Sequence, residues 1–152
     1  MGYPGAAAIH NKYLSRIEVH GKNLFYFFTP HPTPDEHASI IVRIHFGMSG
    51  AFRTFPLPGP DPVRDTVRLQ LLNRDVNVVA HLSAMSVEHG DVAFYAACTS
   101  KLGQDPLRDD ADPEALWGQV QRCKKPIGLV LMDQSMVAGP GNIYRAEILF
   151  KA

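Results

Sequence analysis

The tripeptide Gly139-Pro140-Gly141 stands between two apolar runs, and no helix or strand runs through it unbroken. Proline supplies no N–H and fixes its own φ, and the glycines on either side permit a sharp turn. The stretch KKPIGLVLMDQSMVAGPGNIYRAEILFKA, Lys124 to Ala152, therefore reads as helix, turn, helix. Pro126 suits a first helical position, and Ile127, Leu129, Val130, Leu131 and Met132 make a nearly all-round apolar turn that has to be buried. The second helix is expected to open at Asn142 as its N-cap, with Ile143, Ala146, Leu149 and Phe150 recurring on one face. Such a helix start gathers free backbone N–H groups, the positive end of the helix dipole and a side-chain amide, which together suit an anion such as phosphate. An ordinary helical hairpin with a tight turn has the same spacing, and on spacing alone it is the simpler reading.

The rest of the chain differs in texture. Leu14 to His20, Lys22 to Thr29, Ser39 to Phe46, Thr66 to Leu72 and Asn77 to Leu82 are rich in β-branched and aromatic residues and read as strands. Pro30, Pro32 and Pro34 mark one loop, and Pro56, Pro58, Gly59, Pro60 and Pro62 a longer one, because repeated proline forbids ladder hydrogen bonds. The fold class expected is α+β: an N-terminal β-sandwich, incomplete, over 1–104, a connection at 105–112, and a helical segment over 113–152. At 152 residues and 45% hydrophobic the chain can bury a core but is short for two complete domains. Asp112 and Pro113 fit the N-cap and first position of a helix whose buried stripe is Leu116, Val120 and Cys123, with Trp117 beside it.

Charge and cysteines narrow the class. Fifteen basic residues balance fifteen acidic ones, so only the distribution is informative. Asp105 to Ala115 carries five acids against Arg108, whereas Leu116 to Ala152 carries Arg122, Lys124, Lys125, Arg145 and Lys151 against Asp133 and Glu147. A basic helical end supports nucleic-acid binding, and a solvated face looks much the same. No run has the length of a membrane span and the start lacks a secretory signal, so an intracellular protein is expected. Cys98 and Cys123 are too few for a disulfide framework, and no C-x-x-C pair points to zinc. His45 and His81 stand in apparent strands without a second ligand at metal spacing, and read as core histidines.

The run DQSMVAGPGNIYRAEILF resembles the helix-two-turn-helix signature of the formamidopyrimidine-DNA glycosylase and endonuclease VIII family. GKNLFYFF from Gly21, IHFGMSGAFR from Ile44 and LGQDPLR from Leu102 match the same family in the same order, so the resemblance covers Gly21 to Ala152. It implies base-excision DNA repair: an N-glycosylase with abasic-site lyase activity on oxidised bases. Its partner is double-stranded DNA with damaged bases; no membrane is involved and a monomer is expected. The stretch AHLSAMSVEHG from Ala80 stands where the formamidopyrimidine branch has an Arg- and Phe-bearing loop, and so looks closer to the endonuclease VIII branch.

The resemblance assigns residues one by one. Lys22 matches the lysine that contacts the phosphate beside the lesion. Met48 matches the side chain pushed into the base stack where the damaged nucleotide leaves it; by itself, a methionine between glycines fits plain packing equally well. Asn142 matches the turn asparagine that holds a phosphate, with Arg145 and Glu147 one turn on. Lys124 and Lys125 suit phosphate and suit a helix C-terminus equally. Relatives of this kind attack the sugar with an N-terminal amine, usually of proline, beside a glutamate. The start Met1-Gly2-Tyr3-Pro4-Gly5 offers neither, so no catalytic residue is assigned. No cofactor is expected within the chain, the family's zinc finger falling beyond Ala152. Two readings follow: part of a glycosylase and lyase, or a non-catalytic DNA-binding module.

Overall fold

The computed structural model describes residues 4–32 and 40–152. Met1, Gly2, Tyr3, Pro34 and Ser39, which figure in the sequence reading, lie outside the described residues. The chain forms two compact units: residues up to Glu18 with Asn23–Tyr95, and Val19–Lys22 with Ala96–Ala152. Composition alone shows its change at 105–112, further along the chain.

Among the described residues, a 3-10 turn over Pro4–Ile9 precedes seven strands: β1 Tyr13–His20, whose last two residues belong to the second unit, β2 Asn23–Thr29, β3 Ile40–His45, β4 Ala51–Pro56, β5 Val67–Asn73, β6 Val78–Ser83 and β7 Ser86–Gly90. Two sheets result, in the orders β1-β2-β3-β7 and β4-β6-β5. The β2–β3, β3–β7 and β4–β6 ladders are antiparallel, with Tyr26 opposite Val42, Val42 opposite His89, and Phe55 opposite Val79. Period-two alternation gives the first sheet two apolar faces. Tyr26, Phe28, Val42 and Ile44 meet Leu69 and Leu82 of the second sheet and Ala84 just past β6, forming the core between the layers.

Phe25 and Phe27 point to the other face and are also buried. A helix, α1 Val92–Thr99, covers them there: the Tyr95 ring meets both edge-on, with centroids 5.0 and 5.2 Å away. Its hydroxyl donates to Glu18 Oε2 at 2.6 Å. The α+β expectation holds, as two antiparallel sheets followed by helices.

Three elements escaped the strand reading or exceeded it. Strand β4 has only half-buried and exposed residues and ends on Pro56, so it lacks the apolar run that marks a strand. The stretch Ala80–Gly90 is the end of β6, a two-residue step and β7, with Met85 N–H donating to His45 O at 3.0 Å. Helix α1 has no apolar periodicity, and its only sequence mark is Asp91, whose Oδ1 accepts from Phe94 N at 3.0 Å.

The second unit adds α2 Pro113–Arg122, α3 Ile127–Val130 and α4 Asn142–Lys151. Asp112 caps α2 as expected, accepting from Ala115 N at 2.9 Å, with Pro113 in the first turn. Leu116, Val120 and Cys123 are half-buried rather than buried, and Trp117 is exposed. The helix expected after Pro126 is a single turn. Pro126 is its N-cap, with ψ of 139°, because a residue in that extended conformation precedes the first helical φ and ψ. Of its apolar set only Val130 is buried; Ile127 is 47% and Leu129 56% exposed, so the expected all-round burial is corrected. A helix this short turns one side inward. None of the described helices is long and apolar enough to cross a membrane.

Candidate nucleic-acid interface

The second unit brings together three segments that are far apart in sequence. The turn Gly21-Lys22, the loop Gly103–Asp105 and the turn Gly139-Pro140-Gly141 converge through backbone contacts. Ala138 N donates to Gln104 O at 2.8 Å, and Gly103 N donates to Gln134 O at 2.9 Å. The Gly21 N–H donates to Asp105 Oδ2 at 2.7 Å, while the other Asp105 oxygen accepts from Leu107 N at 3.0 Å. Gly21 has φ of +59°, and a methyl group in its place would stand 2.8 Å from Gly139 N. Only a residue without Cβ fits both that φ and that approach.

This packing delivers Lys22 to the start of α4. Its Nζ donates to Pro140 O at 2.9 Å and lies 4.0 Å from where a Gly141 side chain would begin. Burial lowers the Lys22 pKa from its ordinary 10.5, since a partly desolvated ammonium has lost some of its hydration. Lys22 was expected at the head of a strand; it sits in the turn before β2, which frees it to reach across.

Asn142 is the first residue of α4 and Gly141 is its N-cap, correcting the expectation that Asn142 caps the helix. The cause is the extended Gly141 backbone, φ −115° and ψ −175°, whose carbonyl accepts the first helical bond from Arg145 N at 2.8 Å. The Asn142 side chain is exposed in the first turn of the helix. The N–H groups of Asn142, Ile143 and Tyr144 precede that first helical bond and point out of the helix end. An ammonium, a side-chain amide and three N–H donors at a helix N-terminus are a set of groups able to hold an anion.

The other candidates are placed less uniformly. Arg145 is half-buried, its stem 3.8 Å from a methyl built on Gly128. Lys124 is exposed. Lys125 donates to Asp133 Oδ2 at 2.9 Å. The Asp133 carboxyl is lowered to about 2 by hydrogen bonds from Ser135 and from Lys125. Met48 belongs to the first unit, on the loop between β3 and β4, and its side chain is entirely exposed. It fills no space in the core, so plain packing does not explain it. A cavity of about 320 Å³ lined by Arg53, Phe55, Arg64 and His81 lies on the β4-β6-β5 sheet and includes none of the candidates. His81 is buried with its Nε2 2.9 Å from Gln70 Nε2, a core position as expected.

Two residues that build the site were not singled out from sequence: Asp105, which anchors Gly21, and Gln134, which brackets the Gly139-Pro140 turn. Gly139 N donates to Gln134 Oε1 at 3.1 Å, and Gln134 Nε2 donates to Pro140 O at 3.0 Å. Both stand inside the runs that carry the resemblance, and that was the available signal.

The chain is similar to known proteins over most of its length. Residues 102–152 match the formamidopyrimidine-DNA glycosylase H2TH domain. The chain is 33% identical to "Endonuclease 8 1" of Mycobacterium tuberculosis, over 96% of its own length and 52% of that protein. It is 32% identical to the formamidopyrimidine-DNA glycosylase of Psychromonas ingrahamii, over 95% of its length and 50% of the relative. The chain thus spans about half the length of the curated relatives it matches. Among solved structures, Lactococcus lactis Fpg in complex with abasic-site DNA superposes with a TM-score of 0.69 at 22% identity, over 91% of this chain and 49% of that one. MutM in complex with DNA containing carbocyclic 8-oxo-G does so with 0.72 at 21% identity, over 94% and 52%. Sequence relatives, the matched helical domain and the fold together establish that the chain belongs to the formamidopyrimidine-DNA glycosylase and endonuclease VIII family.

Proposed function

We propose that this chain grips duplex DNA by a backbone phosphate held between Lys22 and the N-terminus of α4, as part of a base-excision DNA N-glycosylase and abasic-site lyase acting on oxidised bases. The observation that carries the reading is the Lys22 Nζ to Pro140 O bond of 2.9 Å, which stations an ammonium at the open end of a ten-residue helix. Solved relatives of the same fold hold DNA with an abasic site or 8-oxo-G, which supports damaged DNA as the partner. Such a protein works where DNA is, inside the cell: the cytoplasm of a bacterium or the nucleus of a eukaryote.

In this reading Lys22 and Asn142 hold the phosphate, and Lys124 and Arg145 extend the positive track. Lys125 contributes while keeping its Asp133 partner. Met48, exposed on a loop flanked by glycines, enters the gap in the base stack; an unbranched side chain fills an irregular gap and offsets part of the unstacking cost, about a few kcal/mol. No residue here is assigned the nucleophile.

The test is equilibrium binding of the chain to undamaged duplex by fluorescence anisotropy across a salt series. Lys22→Ala and Asn142→Ala should each weaken binding by about 1–3 kcal/mol on every sequence, and Lys22→Ala should lower the salt slope by about one. Parent-like affinity and slope in both variants would show that the turn is only structural.

A further inference from the structure

We infer that Gln134 is a positioning residue for this phosphate site: its side-chain amide fixes the Pro140 carbonyl that holds the Lys22 ammonium at the N-terminus of α4. The inference rests on the phosphate reading above and deepens it, from which groups bind to what sets them in place.

Four contacts carry it. Gln134 Oε1 accepts from Gly139 N at 3.1 Å, and Gln134 Nε2 donates to Pro140 O at 3.0 Å and to Met132 O at 3.3 Å. Pro140 O is also the acceptor for Lys22 Nζ at 2.9 Å. The glutamine amide thus acts as an added peptide group. It supplies one acceptor and two donors to a turn in which Pro140 has no N–H of its own. A carbonyl oxygen has two lone pairs, and those of Pro140 serve Gln134 and Lys22.

The consequence for Lys22 is orientation. An ammonium has three N–H donors; one is spent on Pro140, leaving two for phosphate oxygens. A lysine side chain otherwise samples many rotamers and gives up that freedom on binding. Tethered to a fixed carbonyl, it has given up much of it beforehand, and a preorganised group binds more tightly. Without Gln134 the Pro140 carbonyl is free to rotate away, and the ammonium loses its tether though its charge remains. Gln134 touches no DNA in this scheme; it acts through Pro140 and Lys22.

The experiment compares Lys22→Ala, Gln134→Ala and the double variant in the full chain, by binding to undamaged duplex between about 50 and 200 mM salt. Thermal unfolding followed by Trp117 fluorescence runs alongside. Lys22→Ala should lose about one phosphate contact, a slope change of about 0.9. Gln134→Ala is expected to reproduce at least about half of that slope change, with an affinity loss of about fivefold. The double variant should bind within about twofold of Lys22→Ala, because one residue acts through the other. If Gln134→Ala lowers the unfolding temperature but leaves the slope at the parent value, or if the two losses multiply, the positioning role is wrong while the phosphate site stands. If Lys22→Ala changes neither affinity nor slope, the phosphate reading itself falls. Should Gln134→Ala not fold, Gln134→Met replaces it, since methionine keeps the length and bulk and removes every hydrogen bond.

Discussion

Replacing Gly21 with alanine is the sharpest test of how the second unit is built. The added methyl would lie 2.8 Å from Gly139 N and 3.2 Å from both the carbonyl carbon and Cβ of Ala138. Two of those three neighbours are backbone atoms, which cannot swing aside as a side-chain tip can. Alanine at φ +59° also enters the left-handed region, at about 1–2 kcal/mol. Overpacking against backbone adds about 1–3 kcal/mol. The sum, about 2–5 kcal/mol, is a large fraction of the roughly 5–15 kcal/mol that holds a typical domain. Urea unfolding followed by Trp117 fluorescence reads the correct unit, since this is the chain's single tryptophan and it lies on α2. At a slope of about 1–3 kcal/mol per molar, the midpoint should fall by about 1 M or more. Gly118→Ala supplies the internal control. On α2 its methyl would meet nothing closer than the Arg122 guanidinium nitrogens at 3.7 and 3.8 Å, so it should stabilise by about 0.5–1 kcal/mol. Equal shifts from the two substitutions, or an unmoved midpoint in Gly21→Ala, would refute the close backbone packing described above.

Two further outcomes are expected. Tyr95→Phe should cost the first unit about 1 kcal/mol by losing the Glu18 bond, whereas Tyr95→Ala should cost about 3–5 kcal/mol by also removing the edge contacts to Phe25 and Phe27. Unfolding followed by circular dichroism checks the difference, and equal losses would place the stabilisation in the hydroxyl. Asp133, held near 2, lies below the ordinary carboxylate value of 3.8, so the unfolded chain binds its proton first as pH falls. Its contribution to stability is therefore fully present above about pH 4 and is lost as pH falls through about 2. Carbon-13 titration of the Asp133 carboxyl should show the low value in the parent and a rise in Ser135→Ala; an unchanged titration would remove the Ser135 hydroxyl as the main cause.

Legibility in the sequence followed the range of the interaction. Strands β2, β3, β5 and β6 were readable because their apolar alternation is local and each is buried on at least one side. Strand β4 was not, because its pairing with β6 is set by the register of a partner and not by its own composition. The cap of α2 was readable, since Asp112 and Pro113 act within one turn of each other. The cap of α4 was misplaced by one residue because asparagine's preference for capping is a tendency, and the extended Gly141 backbone took the role. Of the site, Lys22 and Asn142 came from resemblance; nothing local relates Lys22 to Pro140, which is 118 positions away. Asp105 and Gln134 were hidden for the same reason. Their work is to join segments, and a segment does not record what it will touch.

The tetrapeptide Val19–Lys22 belongs with the helices although its first two residues end β1 and its last two form the turn before β2. The helical part is therefore discontinuous in the gene. A polypeptide started at Ala96 would contain all of α2, α3 and α4, yet Asp105 would lack Gly21 and the Pro140 carbonyl would lack Lys22. During folding, the loops that join these partners span 84 and 118 residues, and loops of that length close late and slowly compared with a helical turn. The turn that carries Gly21 and Lys22 has to be in place before Asp105 and the Pro140 carbonyl find their partners, so the helical unit is finished by a segment made more than eighty residues earlier.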